Sequence, residues 1–264
     1  MRTTPALPLP HRINGERLVL LGWSRAILLQ LAHPLIAAGV YEHSGFRNSP
    51  LAAIRRLHST TRAMLAIVFG SDSERTGAID GIRAIHRRVH GALTEPVGPF
   101  PAGTFYSAED PALLVWVHTT VIESTVMAYE RFVRALTDSE RDDYCAASAS
   151  LPVALGARTE DVPTSWRALV KVNAETLSTP VITVGPQARQ LAAALLRAPV
   201  MRVLPPAAWL NRLVTVGQLP SSVRASYGFD WSPWHERTLD GVASATRGAR
   251  RVTPDVIARF SQAR

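Results

Sequence analysis

Residues 109–136 read EDPALLVWVHTTVIESTVMAYERFVRAL, and this stretch decides the fold. Asp110 stands before a proline, the pairing of a capping side chain with a residue already fixed at the helical φ. Behind it, Leu114, His118, Val121, Ile122 and Thr125 recur at the three- and four-residue spacings of one helical face, which places His118 inside. Upstream, residues 92–105 (ALTEPVGPFPAGTF) form the clearest long loop. Before that loop, Ile79, Ile82, His86 and Val89 share one face of a helix over about 73–91, so His86 also stands on an apolar stripe. Ser49-Pro50 repeats the cap signal and opens a helix over about 50–69, on whose flank Arg56 and Thr60 are stacked four residues apart.

The remaining chain follows the same pattern of helices separated by proline and glycine. Further helices are predicted at about 16–40, 138–155, 163–177, 186–216 and 221–246, with a short one near 254–262. Strand signals are weak: Pro180 to Gly185 holds a brief β-branched run and nothing alternates for long. The expectation is an all-α fold, with residues 1–12 as a flexible tail and 13–264 as a single helical domain.

Composition bounds the function classes. The 264 residues are 47% hydrophobic and 19% charged, enough apolar material for a sizeable core. A single cysteine, Cys145, excludes an internal disulfide and any zinc site built on two thiolates. The net charge is +8 and nearly all the base is arginine, with Lys171 the one lysine. The arginines are spread among acidic residues and no nucleic-acid-binding motif accompanies them, so nucleic acid is not an expected partner. No apolar leader follows the N-terminal arginines, and the expected location is cytoplasmic. Leu18 to Val40 and Leu191 to Val216 are apolar but interrupted by charges, which makes a span costly and leaves peripheral membrane contact open. There is no His-Glu-x-x-His, no Glu-x-x-His pair, no glycine-rich phosphate loop and no Gly-x-Ser-x-Gly elbow. Cys145 reads as an inert helix residue, and His90 and His235 as exposed. Trp209, Trp231 and Trp234 read as core packing, a lid or an oligomer contact.

Two inward-facing imidazoles on separate helices, His86 and His118, with Arg56 and Thr60 on a third, suit a haem: imidazole binds iron, and guanidinium pairs with propionate or bound oxygen. The same imidazoles also suit a neutral, hydrogen-bonded core position, and spacing alone does not choose.

The motifs in order are GWSRAILLQLAHPLIAAGVYEHS at 22–44, RRLHST at 55–60, IHRRVHG at 85–91 and AEDPALLVWVHTTVIESTVMAYERF at 108–132. Over about residues 15–160 they resemble the bacterial and fungal family that contains mycophenolic-acid oxygenase B and the latex clearing protein. The resemblance implies a globin-like helical core with additional C-terminal helices, a b-type haem, and oxidation of an apolar, prenyl- or alkene-bearing small molecule by dioxygen. It implies His86, in an H-x-x-V-x-G context with Val89 and Gly91, as the proximal iron ligand. On the distal side it implies Arg56 and Thr60 as donors to bound oxygen or to a propionate. Ser59 stands where the family has a lysine, which argues against polyisoprene as the substrate. Glu42 is the candidate for the family's acidic base, and His43 and His33 are further pocket candidates, each equally suited to a helix end. Two rivals stay open on the residues: a non-catalytic haem carrier or sensor, and a cofactor-free basic helical protein that binds an anionic membrane surface or a protein partner.

Overall fold

The longest helix with apolar residues on most sides must be wrapped by the rest of the chain, and it is. A computed structural model of the chain describes residues 7–44, 50–196 and 205–263, with the side chains at 50–54, 56, 57 and 205 outside the described set. Its elements are α1 (Leu9–Gly15), α2 (Trp23–Leu31), α3 (Pro34–His43), α4 (Pro50–Phe69), α5 (Asp72–His86), β1 (His90–Ala92), β2 (Phe105–Ser107) and α6 (Pro111–Phe132). Then follow α7 (Asp138–Ser148), α8 (Ser150–Leu155), α9 (Trp166–Leu177), α10 (Pro186–Leu196), α11 (Pro205–Gly217), α12 (Ser221–Tyr227), α13 (Pro233–Val252) and α14 (Asp255–Ala258). The described residues form an all-α domain with one two-stranded ribbon.

Helix α6 is the axis. Asp110 accepts hydrogen bonds from the Ala112 and Leu113 amides at 2.8 and 3.4 Å, and Pro111 occupies the first turn. The helix supplies side chains to every apolar cluster of the described core: Trp116 toward α2, α10 and α12, Ile122 and Val126 toward α1, α7 and α9, and Phe132 toward α11 and α13. It is long and apolar enough to cross a membrane, but 72% of the relevant window is buried inside the fold, as for the central helix of a bundle. Gly22 lets the preceding 3-10 turn (Arg17–Gly22) approach this axis, because a Cβ there would collide with the Ser124 carbonyl oxygen. Two charged groups are buried among the described residues: Glu16, which accepts from Arg250 at 2.7 Å, and Arg25. Arg25 is buried and fully engaged, donating to Glu123 at 2.8 Å, to Ser124 at 2.7 Å and to the Gln218 carbonyl at 2.7 Å.

Several boundaries differ from the sequence expectation. The helix predicted over 16–40 is broken at Pro34, where its two halves meet at 107°. Proline lacks the amide that would bond the Gln30 carbonyl, so the His33 amide takes that carbonyl at 3.1 Å and α3 starts afresh. The helix predicted to 91 ends at His86, because residues 90–92 pair antiparallel with 105–107 in the register His90 to Ser107 and Ala92 to Phe105. The expected tail over 1–12 is helical from Leu9 onward, drawn in by the full burial of Ile13. The helix predicted over 138–155 divides into α7 and α8, and that over 221–246 divides at Gly228, a left-handed residue with φ 72°. Of the helix predicted over 186–216, residues 197–204 lie outside the described residues.

Candidate functional site

The α4–α5 hairpin carries the family-implied residues. Gly70 turns the chain and Ser71 starts α5 with a reciprocal cap: its hydroxyl accepts from the Glu74 amide at 3.3 Å while Glu74 accepts from the Ser71 amide at 2.8 Å. Arg75 donates to the Ile67 carbonyl at 3.0 Å and sets the register of the pair. Two antiparallel helices rise equally from such a turn, so the backbone of position 56 lies level with His86, and Thr60 one turn nearer the connection. Ile79, Ile82 and His86 share a face of α5, as the periodicity predicts, whereas Val89, expected on the same face, lies beyond the end of the helix; all four are only half-buried. No residue of α5 is fully buried, and Ile85 on its outer side is 60% exposed. The His86 Nδ1 atom is nonetheless out of contact with water.

Behind the hairpin, α8 packs against both α5 and α6. On α6, His118 shares a helical stripe with Leu114 and Ile122, one turn along from the cluster of Leu114, Val115, Ala157 and Val162. It is 7% exposed, and burial lowers its pKa from 6.5 to about 4, so the ring is neutral near pH 7. Its Nε2 atom meets no hydrogen-bond partner among the described residues. Buried polar atoms usually find one, so this nitrogen is a group in want of a ligand or a water.

The third part of the site is the end of α3. The Tyr106 hydroxyl lies 3.3 Å from His43 Nε2, and burial, reinforced by the negative charge of Glu42, raises the Tyr106 pKa. Val89 packs beside Gly39 of α3. Gly91 admits the Tyr106 ring, since a Cβ at position 91 would stand 2.6 Å from its hydroxyl oxygen. The segment following His86 is thereby stitched to the helix end that bears Glu42 and His43.

The sequence-predicted residues divide accordingly. His118 is buried as expected, and His86 faces a stripe that is only half covered. Glu42, His43, Ser59 and Thr60 are exposed, and the Arg56 side chain lies outside the described residues. His33 takes its helix-end role: its Nδ1 accepts from the Leu35 amide at 3.3 Å, and burial pulls its pKa down to about 4 against the opposing effect of Asp110. Cys145 is buried and its thiol is pushed up to about 12, first by burial and then by Asp142, which leaves it inert. His90 is exposed, as expected. His235 corrects its expectation: it is half-buried, stacks on Trp231 at 5.1 Å and accepts from the Ser232 amide at the start of α13. Tyr106 escaped the sequence reading because a three-residue strand is too short to show alternation. No three His, Cys, Asp or Glu side chains converge as a metal-ion cage among the described residues. A haem asks the protein for a single imidazole.

A family model described as "ER-bound oxygenase mpaB/B'/Rubber oxygenase, catalytic domain" matches residues 11–249. The chain belongs to this oxygenase family. No curated protein and no solved structure matched. The match runs from α1 into α13, well past the 15–160 over which the motifs are recognisable, so α9 to α12 and most of α13 belong to the family's catalytic domain.

Proposed function

We propose that the protein is a haem-dependent oxygenase acting on an apolar, alkene-bearing small molecule, with His86 as the iron ligand. The observation that carries this reading is the setting of His86: the last residue of α5, on an apolar stripe that the surrounding helices leave half covered. Such a stripe normally meets a partner surface. The residues fit a porphyrin in kind: one imidazole on an incompletely covered apolar face, a second buried imidazole with a free nitrogen, and arginine position 56 level with the first.

When bound, a b-type haem would supply the activation of dioxygen. The chain supplies the rest. His86 would hold the iron, with the Val89–Gly91 segment and Tyr106 fixing the strand that follows it. Arg56 and Thr60 on α4 would donate hydrogen bonds to a propionate or to oxygen. Neutral His118 would offer Nε2 within the apolar wall without importing charge. Glu42, coupled to the His43–Tyr106 pair, is the candidate proton acceptor at the α3 end. Half-buried Ile79, Ile82, Met64 and Leu65 would line the approach of an apolar substrate and thin out water there. Oxidative cleavage of one carbon–carbon double bond by one dioxygen places an oxygen atom on each carbon and needs no external reductant.

Oxygen-electrode measurements on haem-loaded protein with a panel of prenylated small molecules test the reaction. Oxygen uptake matched by carbonyl products, lost in His86→Ala, is the expected result. A haem spectrum without substrate-dependent uptake would identify a carrier or sensor instead.

A further inference from the structure

We propose that the face shared by α11 and α13 docks the protein on an anionic membrane surface. Trp209 and Trp234 stand side by side there, ring centroids 6.2 Å apart, and are 44% and 55% exposed, with Leu210 beside Trp209 at 39%. The chain can bury an indole where packing asks for it, as Trp116 shows at 3% exposure. Two adjacent exposed indoles with a leucine form a contiguous apolar patch rather than a scatter of single residues. Indole combines a broad apolar ring with one N–H donor, and it accumulates where hydrocarbon meets headgroups.

The charges around the patch have the matching sign. Arg212 follows Trp209 by three residues and Arg237 follows Trp234 by three, so each arginine borders its tryptophan on the same helix. Both are exposed, and neither has a carboxylate partner among the described residues; Arg212 rests on the Phe229 ring at 5.1 Å. The acidic residues of α13 are turned to other work: Glu236 accepts from the Trp231 indole at 2.7 Å and Asp240 pairs with Arg131 at 2.6 Å. Asp230, in the connection between α12 and α13, is an exposed carboxylate nearby, and the two free arginines outweigh it. The net charge of +8 adds long-range attraction toward the same kind of surface. Over the described residues α11 has 13 residues, too few to span a bilayer, and the contact proposed is interfacial. This inference does not depend on the haem reading, although a bilayer is also where an apolar substrate would concentrate.

Co-sedimentation of the full-length protein with phosphatidylcholine vesicles, with and without phosphatidylglycerol, tests the proposal. Binding is expected to the phosphatidylglycerol-containing vesicles and to fall steeply as salt is raised. Trp209→Ser with Trp234→Ser should lower the partition coefficient by at least about tenfold while leaving the circular dichroism spectrum unchanged. Arg212→Gln with Arg237→Gln should weaken binding less and flatten its salt dependence. Failure to bind anionic vesicles, equal binding to both lipid mixtures, or unchanged binding in the tryptophan pair would overturn it. So would a dimer in sedimentation velocity that the tryptophan substitutions dissociate, which would assign the face to a second copy of the chain.

Discussion

Helix α6, apolar on most of its sides, and α5 of the α4–α5 hairpin, apolar along a single stripe, end in opposite conditions. Along α6, apolar residues meet helices on several sides, and even its threonines and serines, Thr119, Thr120, Ser124 and Thr125, are buried. Along α5, the stripe of Ile79, Ile82 and His86 is only half covered, and no residue is buried. The difference separates scaffold from site: a rigid axis is packed against itself, whereas a binding face must keep apolar surface in reserve. It also separates the two histidines. His118 is sealed and neutral, and His86 is within reach.

The contrast can be broken most directly by truncation. Phe132→Ala, at a fully buried position, should cost about 4 kcal/mol, whereas Ile82→Ala on the half-covered stripe should cost about 1 kcal/mol. Urea denaturation of the two variants measures both, and equal losses would erase the distinction between the regions. Next in size is a pH effect. In the folded chain His118 binds its proton only near pH 4, while unfolded it binds near 6.5. Above pH 6.5 neither state is protonated, and stability is full. As pH falls from 6.5 toward 4 the unfolded state gains a proton that the folded state refuses, so stability falls, by about 2 kcal/mol at pH 5 for this one ring. His118→Gln should remove that share of the acid sensitivity, and His33, with a similar shift, should retain its own. The smallest effect sharpens the hairpin side. Ser71→Ala removes one arm of the α5 cap and should cost about 1 kcal/mol, read as faster amide hydrogen exchange over the first turns of α5 with α6 unchanged.

The helical class was legible because its signals are local and repeated. Asp110-Pro111 and the stripe through His118 need only a few turns of chain to declare themselves. Pro34 was visible as a residue, but the sequence does not say whether a proline bends a helix or ends it; the His33 side chain and the angle decide that in three dimensions. The β1–β2 ribbon was illegible for want of length, and with it went Tyr106, which links His43 to the segment after His86. Periodicity found that His86 and Ile82 share a face, yet it could not report how fully that face is covered, because coverage depends on α8 arriving from elsewhere in the chain. The His235 cap at the start of α13 was missed for a similar reason: charged neighbours suggested exposure, while the ring folds back on Trp231 and Ser232.

The central claim is that the half-covered imidazole on α5 takes iron. Titrating haem into the purified protein and into His86→Ala, and following the Soret absorption, tests it most directly. The account predicts a saturable, shifted Soret band with one haem per chain in the native protein and its loss or displacement in the variant. A band of the same position and amplitude in both would contradict it.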